Sequence, residues 1–410
     1  MDLYVRHGAR ARGCLGRLAY GGKRVAATLA GPVISLFARR PPGRRIPSDV
    51  LLLHGYDGGL RRAAGLRRAL EDLGLAVADH ILETRLQRLL RRRFGHPGHR
   101  VPLRWRLDAY YAGYLLWRYA PKIVVCSEYR SPLVACLRLA CAGRSKLINI
   151  AHSVVPLSEH ATMFDYDYYF VLGPSSVEHC EGQSLRFGAT RLVEGGHVLS
   201  EIAADCLPAG DRRTIVFFSQ LSSELLRSSR RERELVFANT RVVIEFARRH
   251  PDFTVLVKLH PLEAGDLAAA LARGVDNVRV LDRAFGLREA VASAALAVVM
   301  WSNAAIDAAM LGRPVVRVNC AGDSDSYLEV ERYFLPPARS AEELFDRVTT
   351  VVDQYDRFVR AAAVFVARHV RYSTGAESFV ARCIASVARG REEFVSISLP
   401  EQVARLTGGP

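Results

Sequence analysis

Two stretches of this chain carry residues whose types and spacing could do chemistry. In the first, Lys258-Leu259-His260-Pro261 closes an apolar run that begins at Thr254 and reads as a buried strand. Proline cannot extend sheet pairing, so Pro261 ends the strand and leaves His260 at its mouth, where an imidazole can donate to a phosphate or act as an acid. In the second, residues 296–318 read LAVVMWSNAAIDAAMLGRPVVRV. A strand ending at Met300 is expected to hand over to a helix that opens at Ser302 and Asn303, carries Asp307 one turn on and stops at Gly312. Ser and Asn are good helix N-caps, so capping alone accounts for them. The same placement offers backbone N–H groups, a hydroxyl and an amide to a phosphate, with Asp307 able to accept from a ribose hydroxyl.

The elements that must position these groups alternate. After Pro47 comes a strand at 50–53, a glycine-rich turn, and an arginine-rich amphipathic helix closed by Gly74. Further helices are expected over 79–93 and 104–119, then strands at 123–126, 147–150, 168–172 and 191–194. A second series follows, with strands at 214–218, 254–259, 278–281, 297–300 and 315–318 and helices between them. Continuous rather than alternating apolar strands imply parallel sheets covered on both faces. The expected fold class is α/β, with two doubly wound Rossmann-like domains facing each other across a cleft, because ligands in such sheets sit beyond the carboxyl ends of the strands. Residues 200–213, with Pro208, Gly210 and mixed charges, read as the junction. The expected limits are a basic extension over 1–46, an acceptor-side domain over 47–205, a donor-binding domain over 206–370 and a helical tail over 371–410.

Length and composition bound the remaining possibilities. The 410 residues suit two domains of ordinary size, and 31 glycines with 18 prolines exclude both extensive disorder and a collagen-like repeat. Eight scattered cysteines without a CxxC pair read as buried thiols in a reducing compartment, with neither a zinc site nor a disulfide framework. The net charge of +15 is uneven: residues 1–45 hold ten Lys or Arg against Asp2, and residues 61–106 hold twelve Arg against four acids. That block suits an anionic membrane surface, an acidic acceptor or nucleic acid. Residues 61–93 contain no aromatic residue, so stacking on single strands is not supported. No run reaches the ~20 apolar residues that span a bilayer. The nearest, residues 25–38 between Lys23-Arg24 and Arg39-Arg40, could lie in a membrane interface or be part of an untethered extension. A cytoplasmic protein, peripheral on the inner face of the membrane, is the expectation.

The KxHP motif at 258–261, followed by the strand-Ser-helix-Gly-x-Pro unit at 296–314, resembles the nucleotide-binding domain of bacterial cell-surface polymer transferases with the GT-B fold. The pattern is similar to CDP-glycerol glycerophosphotransferases and to capsule glycosyltransferases, including sialyl- and polysialyltransferases. Residues 164–176, FDYDYYFVLGPSS, resemble the segment that ends the N-terminal domain of such enzymes. The resemblance implies that Lys258, His260, Pro261, Ser302, Asn303 and Asp307 line the donor-nucleotide site, with His260 and Ser302 binding its phosphates and Asn303 adding a phosphate contact. Asp307 stands where these transferases usually have glutamate. Ile150-Ala-His152-Ser153 resembles a His-Gly segment whose histidine is the catalytic base in the glycerophosphotransferases. Tyr56-Asp57-Gly58 sits where the sialyltransferases place an acidic pair before glycine, which implies Asp57 as the base. In this fold helix dipoles and basic side chains neutralise the leaving group, so no cofactor and no metal are expected, and Asp165-Tyr-Asp167 and Asp323-Ser-Asp325 read as ordinary surface carboxylates.

The function so implied is transfer of a sugar or polyol phosphate from a nucleotide-sugar or CDP/CMP-type donor to a surface polysaccharide or lipid-linked, anionic acceptor. Asp57 or His152 would take the acceptor proton while His260 and the Ser302 helix stabilise the departing nucleotide. The rival readings are a nucleotide-sugar epimerase of the same fold and a non-enzymatic basic protein that binds nucleic acid.

Overall fold

The computed structural model describes residues 43–99, 101–102, 105–127, 131–157, 162–200, 207–208, 210–220, 230–260, 263, 266–282, 284–320 and 328–402. The extension before residue 43, Pro261 and the Asp323-Ser-Asp325 stretch lie outside the described residues. The elements run β1 (Val50–His54), α1 (Asp57–Arg62), α2 (Ala64–Asp72), β2 (Val77–Ile81), α3 (Arg85–Leu90), α4 (Arg106–Tyr119), β3 (Ile123–Cys126), α5 (Pro132–Cys141), β4 (Lys146–Ile150), β5 (Tyr168–Val171), α6 (Pro174–Glu181) and β6 (Thr190–Glu194). They continue as β7 (Asp211–Phe218), α7 (Arg230–Arg249), β8 (Thr254–Lys258), α8 (Asp266–Leu271), β9 (Val278–Val280), α9 (Leu287–Ala292), β10 (Ala294–Val299), α10 (Ala304–Met310), β11 (Val315–Arg317), α11 (Val330–Tyr333), α12 (Ala341–Asp353), α13 (Tyr355–His369), α14 (Ala376–Ala388) and β12 (Ile397–Leu399).

These form two compact units. The first takes the chain up to Val171, Ser176–Leu199 and the residues from Gly375 onward; the second takes Leu172–Ser175 and Ser200–Thr374. In the first unit the sheet order is β12-β6-β5-β4-β3-β1-β2, parallel throughout except for β12, which pairs antiparallel with β6. The second sheet, β11-β10-β7-β8-β9, is wholly parallel and doubly wound about β7 and β10. Most parallel neighbours that follow in sequence return through a helix, as from β7 to β8 and from β8 to β9, whereas β4 and β5 are joined without one among the described residues. The apolar strands are the core: every residue of β1, β3, β5 and β10 is buried. The segment expected from sequence as a tail over 371–410 supplies α14, whose Val380, Ala381, Ile384 and Ala385 are buried, and β12, which extends the first unit's sheet.

Two stretches depart from the sequence expectation. The glycine-rich turn after β1 is itself helical, since α1 takes in Gly58 and Gly59 and α2 follows from Ala64. The helix expected over 79–93 is instead the edge strand β2 followed by the short helix α3, because β2 pairs with β1 in register from Val50↔Val77 to His54↔Ile81 and its polar residues find partners there. Cross-strand pairing overrides the local helical period. The expected stop at Gly312 holds for a local reason. Helix α10 stops where Gly312 takes φ 75°, and the N–H groups of Gly312 and Arg313 return to the carbonyls of Ala309 and Ala308, each at 2.9 Å. Arg313 is itself buried, its guanidinium donating to the carbonyls of Leu207 at 3.1 Å, Pro208 at 2.5 Å and Val291 at 3.2 Å. That cation fixes residues 207–208 to the second unit.

Candidate functional site

In the second unit the strand order reverses between β7 and β10, with β8 and β9 on one side and β11 on the other. Open parallel sheets bind ligands beyond the strand ends at such a switch point. Three strand ends meet there: Ser219-Gln220 after β7, Leu259-His260 after β8 and Met300-Trp301-Ser302 after β10. The Gln220 side-chain oxygen accepts from the Trp301 N–H at 3.4 Å and so spans the gap between β7 and β10. Arg317, buried in β11, donates from Nε to the Met300 carbonyl at 3.1 Å and pairs with Glu331, which pins the strand end just before Ser302.

Glu263 braces the other side. Its carboxylate is almost wholly buried, and it accepts from the Ser219 hydroxyl at 2.9 Å and from the His260 backbone N–H at 3.1 Å, joining the ends of β7 and β8. Burial pushes its carboxyl above the ordinary range, opposed by the Ser219 and His260 hydrogen bonds and the nearby Lys258 charge. Lys258 is buried, with Nζ 3.3 Å from the Leu259 carbonyl. Glu263→Ala is expected to lose about 1–3 kcal/mol in urea unfolding, since the buried Ser219 hydroxyl and the part-buried His260 N–H lose this acceptor. Glu263→Gln is expected to retain most of that, because its oxygen can serve the His260 N–H while its amide donates to the Ser219 oxygen.

His260, Ser302, Asn303 and Asp307 are half-buried, and all four belong to this unit. The Ser302 hydroxyl accepts from the Ala304 N–H at 3.2 Å, so capping is one of its duties. A hydroxyl that accepts one bond still has a hydrogen to donate. Asn303 occupies the N-cap position of α10 without a side-chain cap bond, and Asp307 accepts from the Ser200 hydroxyl at 3.0 Å.

In the first unit Asp57 opens α1 just beyond β1 and is exposed, with the Tyr56 ring lying over Gly58 where a Cβ would come within 2.3 Å of it. His152 follows β4, exposed, and its Nδ1 lies 3.2 Å from the Ser127 carbonyl. Both lie past the same ends of one parallel sheet, on strands separated by β3. The Asp165 and Asp167 carboxylates are structural: both take Arg138 at 2.9 Å, and Asp167 also takes Lys146 at 3.1 Å and the Leu147 N–H at 2.8 Å.

Four residues escaped the sequence reading. Gln220, Glu263 and Arg317 carry no motif. The fourth, His54, is the last residue of β1; its Nε2 lies 2.7 Å from one Asp79 oxygen and Arg67 meets the other at 2.5 Å. A carboxylate only accepts, so the neutral ring carries its hydrogen at Nε2 and keeps a lone pair at Nδ1. A lone Asp in the segment VADHI, beside a strand ending in His, was the available signal. Among the described residues no three His, Cys, Asp or Glu side chains gather as a metal site requires.

No protein-family profile and no curated protein sequence matches the chain. Solved structures do. The S. aureus protein MnaA, solved with UDP, superposes with a TM-score of 0.56 at 10% identity over 83% of this chain and 96% of its own. The chain has the GT-B fold. UDP-GlcNAc 2-epimerase from Neisseria meningitidis, bound to UDP-GlcNAc, gives 0.55 at 12% identity, covering 82% of this chain and 99% of its own. A variant of the wall teichoic acid polymerase TagF gives 0.52 at 12% identity, covering 92% of this chain and 99% of its own.

Proposed function

We propose that the chain is a transferase that moves a sugar or polyol phosphate from a nucleotide-activated donor to a surface-polysaccharide or lipid-linked acceptor. The observation that carries this reading is the meeting of the β7, β8 and β10 ends at the switch point of the second unit, with His260 and Ser302 half-buried and Gln220, Glu263 and Arg317 bracing the strand ends. The second unit binds the nucleotide. His260 and the Ser302 hydroxyl donate to the donor's phosphate oxygens, Asn303 adds a phosphate contact, and Asp307 faces the ribose. Lys258 contributes positive charge beneath them.

In the reaction an acceptor hydroxyl gives its proton to a base of the first unit, Asp57 or His152. Its oxygen forms the new bond to the donor's reacting centre as the bond from that centre to the nucleotide phosphate breaks. The electron pair stays on the phosphate oxygen, where His260 and Ser302 stabilise it. No step needs a metal. The reading also takes the protein as cytoplasmic and its acceptor as anionic, in keeping with the basic first quarter of the chain.

A thermal-shift panel of CMP, CDP, UDP, GDP and dTDP tests it, because a ligand that binds only the native state stabilises it by about 2.7 kcal/mol at a hundred times Kd. One nucleotide of the set is expected to raise the Tm, and its sugar or polyol conjugate to be consumed only when an acceptor is added. A flat panel would remove the reading. Release or epimerisation of the sugar with no acceptor present would assign the chain to epimerase chemistry instead.

A further inference from the structure

Helix α3 is inside out. A surface helix ordinarily buries its leucines and exposes its charges. Here Arg88 is buried while Leu86, Leu89 and Leu90 are 65%, 41% and 74% exposed. The inversion is locked from several directions. Arg88 donates to the Glu83 carbonyl at 2.7 Å and to Asp108 Oδ1 at 2.7 Å, and its guanidinium stacks 4.1 Å over the Tyr111 ring. Thr84 and Gln87 form a reciprocal capping box, with bonds of 3.3 and 2.8 Å, that fixes the helix start. The turn beyond is held as closely: Gly95 and Gly113 pack backbone against backbone, and a Cβ on Gly95 would lie 2.6 Å from the Gly113 carbonyl carbon.

The exposed leucines stand at i, i+3 and i+4, which puts them on one face of the helix. Residues 84–93 contain five arginines and no acid. The Arg85 and Arg91 side chains are half exposed, whereas the carboxylates that face this helix, Asp108 and Glu83, are buried and already paired with arginines. The outward face therefore offers leucine and positive charge together. Gly43 lies near the turn beyond this helix, where a Cβ on it would be 2.9 Å from an Arg118 Nη and 3.9 Å from an Arg93 Nη.

We propose that the outer face of α3, Leu86, Leu89 and Leu90 framed by Arg85 and Arg91, docks on the surface of an anionic lipid bilayer. A polysaccharide or a nucleic acid would reward the arginines alone. Three adjacent leucines gain only by leaving water for an apolar medium, and the arginines then meet lipid phosphates at the depth where the leucines enter the headgroup boundary. This goes beyond the transferase reading, and its test does not depend on that reading.

The test compares full-length chain with the Leu86→Ser/Leu89→Ser/Leu90→Ser variant in co-sedimentation with phosphatidylcholine vesicles, with and without 30% phosphatidylglycerol, at low and high salt. All three leucines face solvent, so the variant is expected to keep the parent Tm. The full chain is expected to sediment with the anionic vesicles, more weakly at high salt, and the variant to bind about tenfold less or weaker still. A second variant, Leu90→Trp, is expected to show a blue shift in emission, relative to the parent chain, when anionic vesicles are added. Equal sedimentation of parent and triple-serine chains, equal binding to neutral vesicles, or an unshifted emission from the Leu90→Trp chain would overturn the proposal. So would a change in oligomeric state on serine substitution with vesicle binding unchanged, which would make this face a contact between copies of the chain.

Discussion

His260→Ala is expected to lower transfer on the order of a hundredfold or more, while the chain stays folded and its unfolding transition moves little. A positioned acid that protonates or hydrogen-bonds a leaving oxygen contributes roughly 10²–10⁴ in rate. The backbone at His260 is held by Glu263 through its N–H, a bond the alanine keeps, so the loss should be chemical rather than structural. Ser302→Ala should cost less in rate and also lose about 0.5–2 kcal/mol of stability, because the hydroxyl accepts from the Ala304 N–H. The nucleotide-induced Tm shift separates the roles. It should shrink in both of these variants and survive in Asp57→Ala and His152→Ala, whose loss should be in turnover alone. Wild-type rates and wild-type nucleotide shifts in His260→Ala and Ser302→Ala would sink the donor-site assignment.

The second large effect is on stability. Asp108→Ala is expected to cost about 3–5 kcal/mol, read in the urea unfolding transition of the first unit, because it leaves Arg88 buried without its carboxylate. Arg85 also reaches Asp108, at 3.0 Å, but its side chain is half exposed and can return to water. The buried partner therefore dominates the penalty. The double variant Arg88→Met/Asp108→Leu should recover most of the loss, since replacing both members of a buried pair with apolar groups removes the desolvation cost along with the attraction. If Asp108→Ala unfolds at the parent urea midpoint, the pair does not hold α3 to α4.

The strands were legible because they are buried on both faces, which leaves a continuous apolar run that no surface helix shows. The segment 123–126 was read with its observed limits, and AALAVV in β10 and VLLLH in β1 are apolar for the same reason. Helix α4 was placed within two residues at its start. The region 79–93 was not legible. Its strand is an edge strand, only half covered, whose Asp79 and His80 are satisfied by residues far along the chain: His54 and Arg67 for the first, Tyr111 and Tyr119 for the second. Local period carries no trace of such partners, and a helix was the natural inference from the arginine and leucine spacing.

The site divides along the same line. His260, Ser302, Asn303 and Asp307 could be placed at strand ends and a helix start from sequence because proline, N-cap and glycine signals act over a few residues. Gln220, Glu263, Arg317 and His54 could not, since each acquires its place through a partner on another strand.

The sequence by itself determined that this is an α/β chain with two series of buried parallel strands, and that its basic charge lies in the first quarter. Those properties follow from local conformational preference and from the period of apolar residues, both of which are written in neighbouring positions. Only the tertiary structure decided which strands adjoin, and so that the ends of β7, β8 and β10 share one switch point. It also decided that Arg88 faces inward while three leucines face water. Burial of a charge is settled by whether a carboxylate, a carbonyl and an aromatic face are waiting at the same point, and Asp108, Glu83 and Tyr111 come to that point only when the chain has folded.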